Sequence, residues 1–518
     1  MPTIFRQHTW GYIILASFSI GYYKYIFSGH TKTIVSIGGN GIAIRSEPPS
    51  TLLVGYGVII ILFLIAFIRS VRVHWISTKL ATQFRKNDRQ GALNTTQHQQ
   101  ATPSFTIFVP ARNETRVIEN TMTRLSLINY NKKLYNVVVI TDQREEDCSG
   151  LTTTNIARQH ALLLNNAIGR DLFHIIAVPD SFDGDLRRAN PANSGSRSTK
   201  GRALNYGLQW LEQTKRIDKC DYIGVLDADG RLHKEALSNV ARITNSRDAD
   251  IIQGPVFQIS NLGKADLVGI MAGIELSLHH ISRMWLDLNS KKDFPRFLAG
   301  TNYFIKAGLM LETGGWNSES LVEDAELGLH LYLKKQAKAL WLPAYEIEQT
   351  PPSWTVYLKQ RERWALGHLQ LIPIISNSGL PLPVKIRIYV KILLHFVESP
   401  LDILLPIISW QLIRDIQFYR FGAIALPIML AMTFISLYTW AYLSRGLALL
   451  NPFSATPLPK YKVIPISLLL TFFMPGLAVL QLIPRFKAAA KFFTNYGSAD
   501  WYKTERSKEY IEEVIANA

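Results

Sequence analysis

Cysteine is nearly missing from this chain: Cys148 and Cys220 are the two present in 518 residues. Both fall in a stretch of ordinary globular composition, so neither a disulfide framework nor a cysteine-rich metal site is expected, and they read as thiols of a reducing compartment. A dense basic block is missing as well. The formal net charge is +16, yet the lysines and arginines are dispersed, with no aromatic-interleaved basic surface and no recognised reader motif. A nucleic-acid partner is therefore not expected. The first apolar stretch, Gly11 to Phe27, lacks a small-residue cleavage pattern after it and carries one charge, Lys24, which can snorkel; it reads as a span rather than a signal peptide. Only Ser507 to Ala518 follow Arg506, and no appended regulatory domain is expected.

Apolar residues make up 47% of the chain and concentrate toward its two ends. A polar, glycine-rich loop, Gly29 to Ser50, separates the first span from Leu52 to Ile68, an uninterrupted run long enough to cross a bilayer. Arg69, Arg72, Lys79, Arg85, Lys86 and Arg89 follow it directly, a positive-inside pattern that predicts a cytosolic N-terminus, cytosolic placement from Arg69 onward, and contact with anionic membrane lipids. Beyond Pro381 and Pro383 lie three more apolar stretches, Val390 to Ile413, Phe421 to Leu443 and Val463 to Ile483. The first contains Glu398 and Asp402, which fit either a polar conduit or a wet interfacial helix. Three full crossings would export the C-terminus, whereas the basic tail predicts a cytosolic one, so 390–413 is expected not to span fully. The expected order is a membrane hairpin and basic linker (1–101, spans near 11–27 and 52–68), an α/β domain (102–349), interfacial helices (350–389), a C-terminal transmembrane region (390–483) and a cytosolic tail (484–518). That makes an integral protein of the plasma (inner) membrane.

The middle of the chain alternates buried strands with helices. FTIFVPARNE places a strand over Phe105–Val109 and a helix from about Thr115; YNVVVITDQ places one over Asn136–Ile140 that delivers Asp142; HIIAVPD is a third. This spacing predicts a doubly wound, mostly parallel sheet. YIGVLDADGR runs a fourth strand into Asp227 and Asp229, with Gly230 expected to let the chain turn so that both carboxylates approach one hard cation, Mg²⁺ or Mn²⁺. An Asx-turn or helix cap is the competing reading of the same residues.

Two further clusters follow. Phe297-Leu298-Ala299 reads as an apolar strand entering the small-residue turn Gly300-Thr301-Asn302, after which Val322-Glu323-Asp324 opens a helix with Leu327, Leu331 and Leu333 inward. Acids at a helix start suit the macrodipole, and a carboxylate at such a junction also suits a general base. In the helical stretch Trp354–Ile372, Gln360, Arg363 and Trp364 form Q-x-x-R-W, which fits either sugar and phosphate contacts or an interfacial anchor. In the tail, Lys503, Thr504 and Arg506 alternate cation, hydroxyl and cation, which suits a phosphate or a lipid headgroup.

Taken in order, Pro110-Ala111-Arg112-Asn113-Glu114, Thr141-Asp142, Lys200-Gly201-Arg202, Asp227-Ala228-Asp229, Glu323-Asp324 and Q-x-x-R-W resemble the motifs of glycosyltransferase family 2. The last resembles the signature of the processive membrane synthases of cellulose, hyaluronan, chitin and poly-N-acetylglucosamine, and Trp501 to Arg506 resembles the W-x-K-T-x-R element of membrane transferases of this family. The resemblance implies a GT-A α/β domain on the cytosolic side, inserted between N- and C-terminal transmembrane helices. It implies Asp324 as catalytic base, Asp227 and Asp229 as metal ligands, and nucleotide-sugar contacts at Glu114, Asp142, Lys200 and Asp227. Gly300, Thr301, Glu323, Gln360, Arg363 and Trp364 line the substrate under the same resemblance, and Lys503, Thr504 and Arg506 reach the diphosphate. The implied reaction is inverting transfer from a nucleotide sugar, UDP-linked, to the growing end of a β-linked polysaccharide, coupled to export, with export or accessory subunits as partners. Single transfer to a lipid-linked or glycolipid acceptor is the alternative within the family, and an inactive polysaccharide-sensing membrane protein is the alternative outside it. Two departures stand out: Val322 where Thr or Ser is frequent, and Thr141-Asp142 where an acidic pair is usual.

Overall fold

A computed structural model describes residues 32–38, 41–47, 50–90, 102–145, 152–184, 186, 198–290, 294–393, 396, 425–494 and 506. The chain divides into two units, one of Met1–Trp75, Ile386–Arg445 and Ile464–Ile483, the other of Ile76–Lys385, Gly446–Val463 and Pro484–Ala518. In the first unit the segment read as a polar loop is a hairpin: β1 (Lys32–Gly38) pairs antiparallel with β2 (Gly41–Glu47), from Lys32↔Glu47 to Gly38↔Gly41. β-Branched residues on both sides of Gly39-Asn40 favour that outcome over an open loop. Helix α1 (Ser50–Gln90) does not stop at Ile68 but carries on through the basic residues for 41 residues in all. No glycine or proline follows Gly57 until Gly91, so nothing breaks the backbone ladder earlier.

The second unit is built on a seven-stranded sheet. Its strands are β3 (Phe105–Pro110), β4 (Tyr135–Asp142), β5 (Phe173–Val178), β6 (Tyr222–Val225), β8 (Ile251–Gln253), β10 (Tyr303–Lys306) and β11 (Ala339–Trp341), in the order 11-8-10-6-3-4-5. The pairs β3–β4, β3–β6, β4–β5 and β8–β11 are parallel, as expected of a mostly parallel sheet, while β10 runs antiparallel to both neighbours. A smaller sheet holds β7 (Arg231–Leu232), β12 (Glu346–Glu348) and β9 (Val256–Gln258) in that order. Side chains alternate across the large sheet. Phe105, Ile107, Val109, Val137 and Val139 meet α2 (Ile118–Ser126), α3 (Thr153–Ile168) and α5 (Ala236–Ser246) through Met122, Ala157 and Val240. Phe108, Val138, Ile140 and Val225 face the other way, onto Leu204 and Leu208 of α4 (Lys200–Gln213), Trp316, and Leu327 and Leu331 of α6 (Glu323–Lys335). Burial on both faces explains the near-continuous apolar runs of these strands.

Leu298 and Ala299, expected in a strand, lie in irregular chain; the strand begins after the turn, at Tyr303. The turn sits at the carboxyl end of β6, so the chain leaving it must run back along β6, pairing Tyr303↔Val225 to Lys306↔Tyr222.

Helix α7 (Trp354–Ser376) carries Q-x-x-R-W as expected. Later come α8 (Ala425–Leu450), α9 (Lys460–Phe472) and α10 (Met474–Thr494). Within the first unit, α1 meets α8 through Phe67 and His74 against Tyr438, with centroids 5.1 and 5.3 Å apart. The expected span Val463–Ile483 is interrupted at Phe473, because Pro475 has no N–H with which to continue the ladder of α9. Among the described residues no helix is long and apolar enough to cross a membrane. The stretch Gly11–Phe27 and, of Val390–Ile413, residues 394, 395 and 397–413 lie outside the described residues.

Candidate active site

The carboxyl edge of β6 sets the site. After Val225 the chain turns, Gly230 N–H donating to the Asp227 carbonyl at 2.8 Å. Gly230 is not among the positive-φ glycines, so its expected conformational role is not the operative one. What requires glycine is proximity: a Cβ there would meet the Glu346 carboxylate. The Asp227 N–H donates to Thr301 Oγ1 at 3.0 Å, and that hydroxyl donates to Glu346 Oε2 at 2.6 Å. The 300–302 turn and β12 are thereby tied to the D-x-D turn. Asp229 is buried, with Gln349 N–H donating to Oδ2 at 3.0 Å and Arg506 Nη2 lying 3.0 Å from Oδ1.

Lys200 links this acidic edge to the second motif. Helix α4 starts at Lys200 because Thr199 caps it, accepting from Arg202 N–H at 3.2 Å. The Lys200 ammonium pairs with Asp227 Oδ1 and donates to the Gly300 carbonyl at 2.7 Å. A Cβ on Gly300 would lie 3.4 Å from Asp324 Oδ2 and 3.5 Å from Lys200 Nζ, so Asp324, Lys200 and the glycine turn share one small volume. Helix α6 begins at Glu323 as expected, and the Glu323 and Asp324 carboxyls draw on the first-turn N–H groups of Glu323 and Ala325. From α7, Arg363 Nη1 donates to the Leu321 carbonyl at 2.9 Å, holding the guanidinium beside these acids. Gln360 is buried on the same helix.

Charge sets the protonation of the group. Burial works against the Lys200 ammonium, but Asp227, Glu323 and Asp324 more than reverse that, and its pKa lies above the ordinary lysine value. Burial also opposes the charge of Asp227, yet Lys200, Arg506 and Arg363 hold it below the ordinary carboxylate value. Glu323 is pushed up to about 7, first by burial and then by Asp324. Asp324 is raised by burial, against the pull of the Ala325 N–H, Lys200, His368 and Arg363. Burial raises Glu346 and Glu348 well above the carboxylate range, each of them also facing Asp227 and Asp229.

Asp227, Asp229 and Glu348 each present a carboxylate oxygen, all three within 4.8 Å of one another. Hard, anionic donors in this number fit Mg²⁺ or Mn²⁺. Glu346 and Glu348 were not singled out from the sequence. Acids alternating with Ile347 read as the solvent face of an edge strand, whereas both point inward here, being 0% and 3% exposed.

The remaining expected residues are distributed unevenly. Glu114 is buried in the turn that follows β3, its N–H donating to Thr153 Oγ1 at 2.8 Å, and its charge acts on Arg506. Asp142 ends β4 but is held by other partners: Arg202 Nη1 at 3.1 Å, Arg144 N–H at 2.9 Å, and the Ser198 hydroxyl. Arg202, also missed from the sequence, thus supports the loop beside Asp142. Trp364 carries the Arg361 guanidinium 4.8 Å over its ring. Lys503 and Thr504 lie outside the described residues.

Several known proteins are similar. The chain is 24% identical over 273 residues to a "Probable glycosyltransferase YdaM" of Bacillus subtilis, a match covering 52% of this chain and 56% of the relative. It is 24% identical over 277 residues to a "Beta-monoglucosyldiacylglycerol synthase" of Trichormus variabilis, covering 52% and 49%. The chain spans about half the length of the curated relatives it matches. Among solved structures, "Mannosyltransferase PcManGT from Pyrobaculum calidifontis in complex with GDP-Man and Mn2+" is 16% identical with a TM-score of 0.45, covering 84% of this chain and 99% of that one. A family model, glycosyl transferase family group 2, matches residues 222–483, from the strand that delivers the D-x-D turn through α7 and beyond, and the chain belongs to that family.

Proposed function

We propose that the protein transfers a sugar from a nucleotide diphosphate donor to an acceptor hydroxyl with inversion at the anomeric carbon. The observation that carries this reading is Lys200, which touches Asp227 on one side and the Gly300 turn beside Asp324 on the other. A diphosphate-binding edge and a buried carboxylate thereby share one pocket. Asp324 accepts the proton of the attacking hydroxyl, Lys200 and Arg363 stabilise the negative charge on the departing diphosphate, and the closed surroundings keep water from competing. A divalent ion held by Asp227 and Asp229 would neutralise the leaving group further. Attack from the side opposite the diphosphate converts an α-linked donor into a β-linkage.

The acceptor is the growing end of a β-linked polysaccharide, held by the α7 motif, and the catalytic unit works on the cytosolic face of the plasma membrane with export coupled to extension. This finer reading rests on Q-x-x-R-W and the apolar composition of the chain ends. Single transfer to a membrane lipid is the second reading, favoured by the likeness to a beta-monoglucosyldiacylglycerol synthase. Membrane and soluble fractions, each incubated with labelled nucleotide sugars and Mg²⁺ or Mn²⁺, separate the two. Long products confined to the membrane fraction support polymer synthesis; single-sugar lipid products support the second reading; no transfer from any nucleotide sugar sinks both.

A further inference from the structure

We propose that Glu348 is a third protein ligand of the divalent ion and that the ion competes with Arg506 for Asp229. The inference rests on the assignment of Asp227 and Asp229 as metal carboxylates and extends it to residues outside the D-x-D motif. Strand β12 is fixed on both sides, by β7 and by β9, with Glu348 opposite Gln258. Ser260 N–H donates to the Glu348 carbonyl at 2.8 Å, and Gln258 Nε2 donates to Glu348 Oε2 at 3.3 Å. Backbone and one carboxylate oxygen are thus pinned, and the Glu348 carboxylate is held with an oxygen within 4.8 Å of those of Asp227 and Asp229. Among the described residues Glu348 Oε1 has no hydrogen-bond partner, although the residue is 3% exposed. A buried carboxylate oxygen without a partner is penalised by several kcal/mol, and a cation shared with neighbouring acids removes that penalty.

The charges around it point the same way. Asp227, Asp229, Glu346 and Glu348 converge on one buried region; Lys200 pairs with the first and Arg506 with the second. No described basic side chain forms an ion pair with Glu348, and Glu346 Oε2 is satisfied by the Thr301 hydroxyl instead. Glu346 Oε1 is likewise without a partner, but the carboxylate grouped within 4.8 Å of both aspartates is that of Glu348. A site of two carboxylates relies on the nucleotide diphosphate to complete the shell of a hard cation, whereas three bind the ion before any nucleotide arrives. Arg506 is placed to sense that event. Its guanidinium shares Asp229 with the ion, its Nη1 approaches the Gln349 carbonyl at 3.5 Å, and its own carbonyl accepts from Arg116 Nη1 at 3.2 Å. An ion that takes the Asp229 charge weakens the hold on Arg506, and by reciprocity Arg506 weakens the hold on the ion.

Titration of the full-length protein with Mn²⁺ alone, followed by the paramagnetic resonance signal of free Mn²⁺, tests both parts. Glu348→Gln, which keeps the shape and the Gln258 contact, is expected to weaken nucleotide-free Mn²⁺ binding by about tenfold or more. Adding a nucleoside diphosphate narrows that gap, since phosphate oxygens replace the lost ligand. Arg506→Gln is expected to tighten Mn²⁺ binding, and it decides the competition even where Glu348→Gln fails to fold by circular dichroism. Unchanged affinity in Glu348→Gln while Asp229→Asn loses binding overturns the role of Glu348 and leaves the two-aspartate site standing. Loosened binding in Arg506→Gln overturns the competition. Undiminished binding in Asp229→Asn removes the assignment on which the whole inference rests.

Discussion

Glu323 and Asp324 are adjacent carboxyls in different surroundings. Asp324 lies beside the Gly300 turn and Lys200, whereas Glu323 is the more deeply buried of the two and is pushed up to about 7. In the unfolded chain Glu323 titrates near 4.5; the folded chain holds its proton up to about 7. The stabilising contribution of that proton is complete below 4.5 and is lost as pH rises through 7. Glu323→Gln cannot ionise, so thermal unfolding of the variant should gain on the parent across this window, by on the order of 1 kcal/mol per pH unit. Parallel stability curves would contradict the assignment. At this scale the sequence exposed what its motifs name: D-x-D, the Glu-Asp pair and Lys200 are residues whose spacing matches a known pattern. It concealed Glu346 and Glu348, because an acid beside an isoleucine looks the same in an exposed strand as in one that turns its acids inward.

The elements explain why these side chains meet. Strand β6, the turn after it, the 300–302 turn and β12 are laced by three hydrogen bonds, from Gly230 N–H to Asp227 O, from Asp227 N–H to Thr301 Oγ1, and from Thr301 Oγ1 to Glu346. Gly230 is the contact point of two of these elements. Gly230→Ala should destabilise the fold by roughly 1–3 kcal/mol through overpacking against Glu346. It should also weaken Mn²⁺ binding, since the D-x-D turn and β12 would be forced apart; unchanged stability and metal affinity would show that this contact is not restrictive. The parallel strands β3, β4 and β6 were legible as apolar runs ending in polar turns. Strand β10 was not, because its four residues follow the turn and their direction is dictated by a partner distant in sequence, Tyr222–Val225. The hairpin β1–β2 was hidden by its polar residues, and the break at Phe473 by apolar residues on either side of Pro475.

For the whole molecule, family membership and the α/β sheet fit the proposed sugar transfer, and the acceptor would decide its biological role. The apolar chain ends were the plainest feature of the composition, yet their organisation depends on packing partners that composition does not name. The catalytic proposal is independent of those ends, since Lys200, Asp227, Gly300, Glu323, Asp324 and Arg363 all belong to the second unit. Its central claim is that Asp324 takes the proton of the acceptor hydroxyl while the nucleotide is held elsewhere. The direct measurement compares Asp324→Asn with the parent for both transfer rate and nucleotide affinity. The account predicts a fall in kcat of roughly 10²–10⁴-fold with nucleotide binding retained. Transfer at close to the parental rate, or loss of nucleotide binding in step with the rate, would contradict it.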